Sequence, residues 1–176
     1  MKITLVALTN PNNVNALFSA FNSHFHDLPN VEVKNDSILA NRADAIVSPA
    51  NSYGWMGGGI DLIYRNEFGM EIQHKVQQAI IDRHNNGELP VGEAVVIPTG
   101  SPMIPYLISA PTMRIPGPVP NTQNAYLAFK AALTEAKKAG FEHILCSGLC
   151  TQTGRMDPNE AAKQMRQAYD EVLGGQ

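Results

Sequence analysis

The residues best suited to chemistry lie in one short stretch between positions 48 and 61. Asn51 and Asp61 flank three consecutive glycines at 57–59, after an apolar segment that ends at Val47. Glycine has no Cβ and loses much conformational entropy on folding, so such a run indicates close approach of a ligand to bare backbone N–H groups. Local sequence leaves other roles open, because Asp61 also suits a helix N-cap and Asn51 a turn-stabilising amide.

A helix is predicted directly after the glycines. Ile60 and Asp61 open an apolar pattern that continues through Ile63, Tyr64 and Phe68. The first turn of a helix carries N–H groups without intrahelical partners and a partial positive charge. A strand, a glycine crevice and a helix start in succession therefore predict an anion site.

A second loop of small residues follows the strand predicted over 142–146. It runs into Asp157, Pro158 and Glu160, which together are typical of a helix N-terminus. The loop consists of Ser147, Gly148, Leu149, Cys150, Thr151, Gln152, Thr153, Gly154, Arg155 and Met156.

Strand and helix patterns alternate along the chain. Strands are predicted over 1–8, 31–33, 44–47, 91–97, 106–110 and 142–146, and helices over 14–21, 60–68, 70–84, 121–139 and from 157. Prolines between 111 and 120 predict an irregular loop. Alternation of this kind predicts a sheet covered on both faces, with ligands outside the carboxyl ends of its strands. If the strands before the two glycine-bearing loops are neighbours, a diphosphate fits between the loops.

Composition predicts one globular domain over 1–176, in a chain that is 44% hydrophobic and 16% charged. The net charge of −3 argues against general nucleic-acid binding. The apolar N-terminus is too short to span a membrane and has no convincing signal-peptide cleavage site. We therefore expect a cytoplasmic protein with reduced thiols at Cys146 and Cys150, and leave its oligomeric state open.

Other candidate sites have weaker support. The dinucleotide-binding and P-loop glycine motifs are absent from the sequence. His24, His26 and Asp27 are expected to be solvated surface residues rather than metal ligands. Arg114 could face a phosphate, but pairing with a surface acid is the expectation.

The stretch around the glycines resembles the signature of the macrodomain family, whose members bind ADP-ribose. In that family an Ala-Asn pair ends a strand, and a glycine run with an apolar residue and Asp follows. Here these are Ala50-Asn51 and residues 57–61. The second loop is similar to the family's phosphate-wrapping loop, with Thr151 at its threonine. The segment 110–116 resembles a bacterial and phage branch.

The resemblance implies a three-layer α/β/α fold with a central mixed sheet, and ADP-ribose or an ADP-ribosylated substrate as ligand, without a cofactor. It implies that Asp36 accepts a hydrogen bond from the adenine amino group, although a turn aspartate bonding its own backbone is the commoner local case. Arg155 or Met156 falls near an aromatic position that contacts the distal ribose. The implied ligand contacts are Asp36, Ser37, Gly57, Gly58, Gly59, Ile60, Ser147, Gly148, Cys150, Thr151, Gln152, Thr153, Gly154, Arg155 and Met156.

The leading hypothesis is an ADP-ribosyl hydrolase. Asn51 would position the distal ribose, and Asp61 would orient or deprotonate the attacking water or bond a ribose hydroxyl. An exposed Asp is ionised at neutral pH and suits a base better than an acid. The alternatives are a non-catalytic reader of ADP-ribose, and a protein that sequesters or cleaves a related NAD-derived nucleotide.

Overall fold

The computed structural model describes residues 1–7 and 16–175. Predictions at position 8, for the turn at 9–13 and at Val14 lie outside the described residues. The strands are β1 (Lys2–Val6), β2 (Val31–Lys34), β3 (Ala45–Asn51), β4 (Val95–Pro98), β5 (Tyr106–Met113) and β6 (His143–Cys146). The helices are α1 (Ala16–Phe25), α2 (Gly59–Phe68), α3 (Glu71–Arg83), α4 (Asn124–Ala139) and α5 (Pro158–Leu173), with a 3-10 turn at Ile38–Ala40.

The strands form a six-stranded sheet in the order β2-β1-β6-β3-β5-β4. Only the β4–β5 pair among these is antiparallel, so the sheet is mixed. Strands β3 and β6 are direct neighbours, with Ala45 opposite Ile144 and Ile46 opposite Leu145. The loops that follow these strands therefore leave the same edge of the sheet side by side, which meets the condition set in the sequence analysis for a diphosphate between them.

Helices cover both faces of the sheet. On one face, α1, α4 and α5 bury a core that includes Phe21, Phe129 and Met165. On the other face, α2 and α3 bury Tyr64 and Ile72 against alternate strand residues. Since β-strand side chains alternate between faces, these two cores define the predicted three-layer α/β/α fold with a mixed central sheet. No helix in residues 1–7 and 16–175 is long and apolar enough to cross a membrane.

Strand β5 is longer than the sequence predicts, because it continues through Pro111 to Met113. The pairing of β5 with β4 reaches only Ser109, whereas its pairing with β3 continues through Pro111. Beyond Ser109 the strand has a neighbour on one side only, and proline is tolerated where no ladder N–H is needed. Strand β4 is shorter than predicted, since Gly92 turns the chain with φ of 108° before Val95.

The predicted start of α5 is confirmed. The Asp157 carboxylate accepts a hydrogen bond of 3.1 Å from the backbone N–H of Glu160, and Pro158 is the first helical residue. This bond satisfies one N–H that the helix cannot pair internally. The cap fixes the end of the second small-residue loop, because the helix begins immediately after it.

We expect Asp157→Ala to lower the free energy of unfolding by about 1 kcal/mol through loss of the cap. Asp157→Ser, which keeps a side-chain acceptor, should lose much less. Urea denaturation at neutral pH measures both. Equal losses in the two variants would show that the cap hydrogen bond is not what stabilises this end of α5.

Candidate active site

A cavity of about 660 Å³ opens at the carboxyl ends of the central strands. Its walls come from the loops after β2, β3, β5 and β6 and from the start of α2. A Cβ placed on Gly59 would lie 3.8 Å from Thr153 Oγ1, so the two glycine-bearing loops meet across it. The lining residues named in the sequence analysis are Asp36, Ser37, Asn51, Gly57, Gly58, Gly59, Ile60, Asp61, Ser147, Gly148, Cys150, Thr151, Gln152, Thr153 and Gly154.

The first glycines leave space rather than fill it. A Cβ on Gly57 or on Gly58 would meet no described atom within 4 Å. Helix α2 begins at Gly59 and no side chain of the described residues caps it, so its first N–H groups are available on the cavity wall. This arrangement suits an anion, which would gain both hydrogen bonds and the favourable end of the helix dipole.

The glycines of the second loop have a packing role instead. A Cβ on Gly148 would lie 2.7 Å from Leu17 Cδ2, and one on Gly154 only 2.6 Å from the carbonyl oxygen of Cys150. The loop closes on itself through a 2.8 Å hydrogen bond from the Met156 N–H to that same oxygen. It is therefore a compact wall whose backbone conformation admits no side chain at these positions.

Asp61 is buried, which corrects the expectation that it is an exposed carboxylate. It is 6% exposed, and the Ser48 hydroxyl donates a 2.5 Å hydrogen bond to its Oδ1. Loss of hydration on burial raises the pKa of Asp61 to about 6, while the Ser48 hydrogen bond opposes that rise. The N-cap position belongs to Gly58, so Asp61 does not cap α2.

Asn51 is bound to its own turn. Its side-chain oxygen accepts from the N–H groups of Tyr53 and Trp55 at 3.1 and 3.2 Å, and its amide nitrogen donates to the Trp55 carbonyl at 2.8 Å. These contacts are those of a turn-stabilising amide. An amide nitrogen has two N–H donors, so this contact occupies one of the two on a residue that also lines the cavity.

Asp36 makes the local contact that its loop position predicts. Its Oδ1 accepts a 2.7 Å hydrogen bond from the Ser37 N–H. Both residues nevertheless line the cavity, at the end formed by the β2 loop, beside Ile38 and Leu39.

The fold and this geometry match known proteins. The Macro domain family model matches residues 47–165. The chain belongs to the macrodomain family. An uncharacterized protein of Aquifex aeolicus is 33% identical over 135 residues, covering 77% of this chain and 78% of that protein. One from Aeropyrum pernix is 34% identical over 133 residues, covering 76% and 67%.

Solved macrodomain structures share the fold at lower identity. The macrodomain of Mycobacterium tuberculosis DarG has a TM-score of 0.68 at 18% identity, covering 79% of this chain and 89% of that one. A mutant macrodomain of Oceanobacillus iheyensis with ADPR has a TM-score of 0.68 at 21% identity, covering 78% and 75%. The same organism's macrodomain with ADP has a TM-score of 0.66 at 22% identity, covering 76% and 71%.

Two residues named from the resemblance are not on the wall of this macrodomain's cavity. Met156 is 2% exposed and packs into the core beneath the second loop. Arg155 is exposed and lies in the left-handed region with φ of 53°. Neither is among the residues that line the cavity, and their contact with ADP-ribose stays a prediction.

The cavity lining also includes Trp55, Ile63, Met113 and Pro116, none of which was predicted as a site residue. Trp55 is the single tryptophan of the chain and stands two residues before the glycines, so its position carried a usable signal. Met113 and Pro116 reach the wall because β5 pairs with β3. That long-range pairing leaves no local sequence pattern.

The other candidates have structural partners. Arg114 pairs with Glu88 at 2.7 Å, as expected of a surface ion pair. Cys146 and Cys150 are buried free thiols, and burial raises the pKa of Cys150 to about 12 and that of Cys146 further. Asp27 binds Arg166. In the described ranges no group of three or more His, Cys, Asp or Glu residues could hold a metal ion.

Asp61 should make stability depend on pH. Folding raises its pKa from 3.8 to about 6, so protonated Asp61 favours the folded state. This contribution to the free energy of unfolding is fully present below about pH 4 and is lost as pH rises through 6. The free energy of unfolding of Asp61→Asn, relative to that of the wild type, should therefore rise by about 1–3 kcal/mol from pH 4.5 to pH 8. Urea denaturation at the two pH values measures this change.

Glu67→Gln is the matched control, because it removes an exposed carboxylate from the same helix. Its stability relative to the wild type should change little between the two pH values. If Asp61→Asn behaves like this control, the burial cost assigned to the Asp61 carboxylate is wrong.

Proposed function

We propose that this macrodomain binds ADP-ribose in the cavity and hydrolyses it from an ADP-ribosylated acceptor. The observation that carries the proposal is a buried carboxylate with pKa of about 6, Asp61, on the same wall as an uncapped glycine helix start. The first group suits proton transfer near neutral pH and the second suits a phosphate. The family match and the ligands in the Oceanobacillus iheyensis structures support it.

The strand order supports an orientation for the ligand. Strands β1 and β6 separate β2 from β3, so the loops after β2 and β3 lie three strand spacings, or about 14 Å, apart. The adenine belongs at the β2 end, where Asp36 adjoins the apolar Ile38 and Leu39. The diphosphate then lies between the two glycine-bearing loops, and the distal ribose lies near Asn51 and Asp61.

In the proposed reaction, ionised Asp61 accepts a proton from a water molecule as the water oxygen attacks C1 of the distal ribose. The bond from C1 to the acceptor breaks, the acceptor leaves with the bonding electron pair, and it takes a proton from solvent. Asp61 then releases its proton to solvent. The Ser48 hydroxyl holds one carboxylate oxygen and so fixes the orientation of the other.

A non-catalytic reader of ADP-ribose is the second candidate. Its support is the Asn51 amide, whose oxygen and one N–H are already hydrogen-bonded to the backbone of Tyr53 and Trp55. Among the described residues, a ligand would then be held mainly by backbone groups. The two candidates differ in whether bound substrate is released as free ADP-ribose.

Asp61→Asn should lower the rate of ADP-ribose release about 10²- to 10⁴-fold, because it removes the base. Its affinity for free ADP-ribose should stay within about threefold of the wild type. Release of radiolabelled ADP-ribose from an automodified ADP-ribosyltransferase measures the first quantity, and calorimetry the second. Wild-type activity should also fall as pH drops below about 6, where Asp61 becomes protonated.

Glu67→Gln again serves as the control and should keep wild-type turnover. Wild-type protein that binds ADP-ribose but releases none from the modified transferase would support the reader instead. Unchanged turnover in Asp61→Asn would exclude Asp61 as the base.

Gly57→Ala should weaken ADP-ribose binding by tenfold or more while changing stability by less than about 0.5 kcal/mol. The added Cβ meets no described atom within 4 Å, so it clashes with the ligand rather than with the protein. Gly175→Ala, which also meets nothing within that distance, lies beyond α5 and should leave binding unchanged. Calorimetry and thermal unfolding of both variants test this, and equal affinities would place the phosphates elsewhere.

A further inference from the structure

The cavity lining includes an aromatic side chain without an assigned role. Trp55 is the only tryptophan of the chain, is 46% exposed, and lines the cavity. The neighbouring Met56 is 2% exposed and packs into the core, so of these two adjacent residues it is Trp55 that lines the cavity. A large ring left half exposed beside a cavity is a surface for stacking.

The indole is the end of a stacked column. Its ring centre lies 4.9 Å from that of Tyr53 at an interplanar angle of 21°. The Arg114 guanidinium in turn lies 5.4 Å from the centre of the Tyr53 ring. Arg114 is held in turn by Glu88 at 2.7 Å and by the Tyr53 hydroxyl at 2.6 Å. One face of the indole is therefore covered by protein, and a planar ligand group would continue the column on the other.

The backbone beneath this column is fixed before any ligand arrives. Asn51 binds both the N–H and the carbonyl of Trp55, and is itself only 6% exposed. An aromatic platform that is already ordered loses little conformational entropy on binding. Asn51 is thus a positioning residue for Trp55.

Trp55 lies at the acceptor end of the cavity. It follows β3, whereas Asp36 and the adenine corner follow β2 across two intervening strands. If the adenosine diphosphate occupies the site as in the proposed function, on which this inference rests, Trp55 is left for a group beyond the distal ribose. That group is attached to C1 of the ribose.

Charge favours one kind of planar group. The face of an indole attracts cations, and the nearby Arg114 is already paired with Glu88. The chain carries a net charge of −3, which disfavours a base of a polyanionic nucleic acid as the stacked group. We propose that Trp55 stacks on a cationic planar heterocycle at C1 of the distal ribose, so that the cavity accepts an intact oxidised nicotinamide dinucleotide.

The test uses Trp55 as its own probe, because no other tryptophan contributes fluorescence. NAD⁺ should quench the tryptophan emission of the wild-type protein strongly. ADP-ribose, which lacks the nicotinamide ring, should quench it only weakly. By calorimetry, Trp55→Ala should lose about tenfold or more in affinity for NAD⁺, a typical cost for removing one base-stacking ring. Its affinity for ADP-ribose should change less than threefold.

Two comparisons sharpen the result. Trp55→Phe keeps a stacking ring and should retain most of the NAD⁺ affinity, and NADH, whose nicotinamide ring is uncharged, should bind more weakly than NAD⁺. Thermal unfolding of both variants should stay close to that of the wild type, because the side chain is half exposed.

The outcomes separate the two proposals. ADP-ribose binding with no NAD⁺ binding, or an equal loss of both ligands in Trp55→Ala, overturns this inference and leaves the proposed function standing. Failure of the wild type to bind either ligand overturns both. Quenching by a single-stranded oligonucleotide but not by NAD⁺ would overturn the assignment of the ring to a dinucleotide.

Discussion

The pairing of β3 with β6 is the constraint on which the rest of this macrodomain depends. Two register pairs, Ala45 with Ile144 and Ile46 with Leu145, join segments about a hundred residues apart in the chain. The pairing sets the glycines before α2 against the loop before α5, and the cavity exists because neither loop fills the space between them. Helices on both faces bury the strands from either side, so the register is fixed by two hydrophobic cores.

At the cavity wall, the burial of the Asp61 carboxylate is energetically unfavourable. The Asp61 carboxylate loses hydration and regains one hydrogen bond, from Ser48, which is why its pKa remains raised. Groups of this kind lower stability while supplying a proton acceptor near neutral pH, a trade-off common at functional sites. Ser48 faces α2 because it shares the strand face of Ile46, which packs with Tyr64 in the second core.

The sequence predicts features that rest on local chemistry. Asp157 with Pro158 marks a helix start through a cap that needs only neighbouring residues, and the glycines at 57–59 indicate an open backbone for the same reason. Burial of Asp61 and of Met156 escaped prediction, because both depend on which strand lies beneath them. The extension of β5 through Pro111 escaped for a similar reason, since it requires knowing where β4 ends.

The tight second loop also restricts how this site can change during evolution. Gly148 and Gly154 are surrounded by protein atoms that a Cβ would strike, and Met156 anchors the loop in the core. Gln152 and Thr153 at its tip are exposed and line the cavity. Divergence in ligand preference among related chains should therefore concentrate at this tip, while the rest of the loop stays fixed as a template.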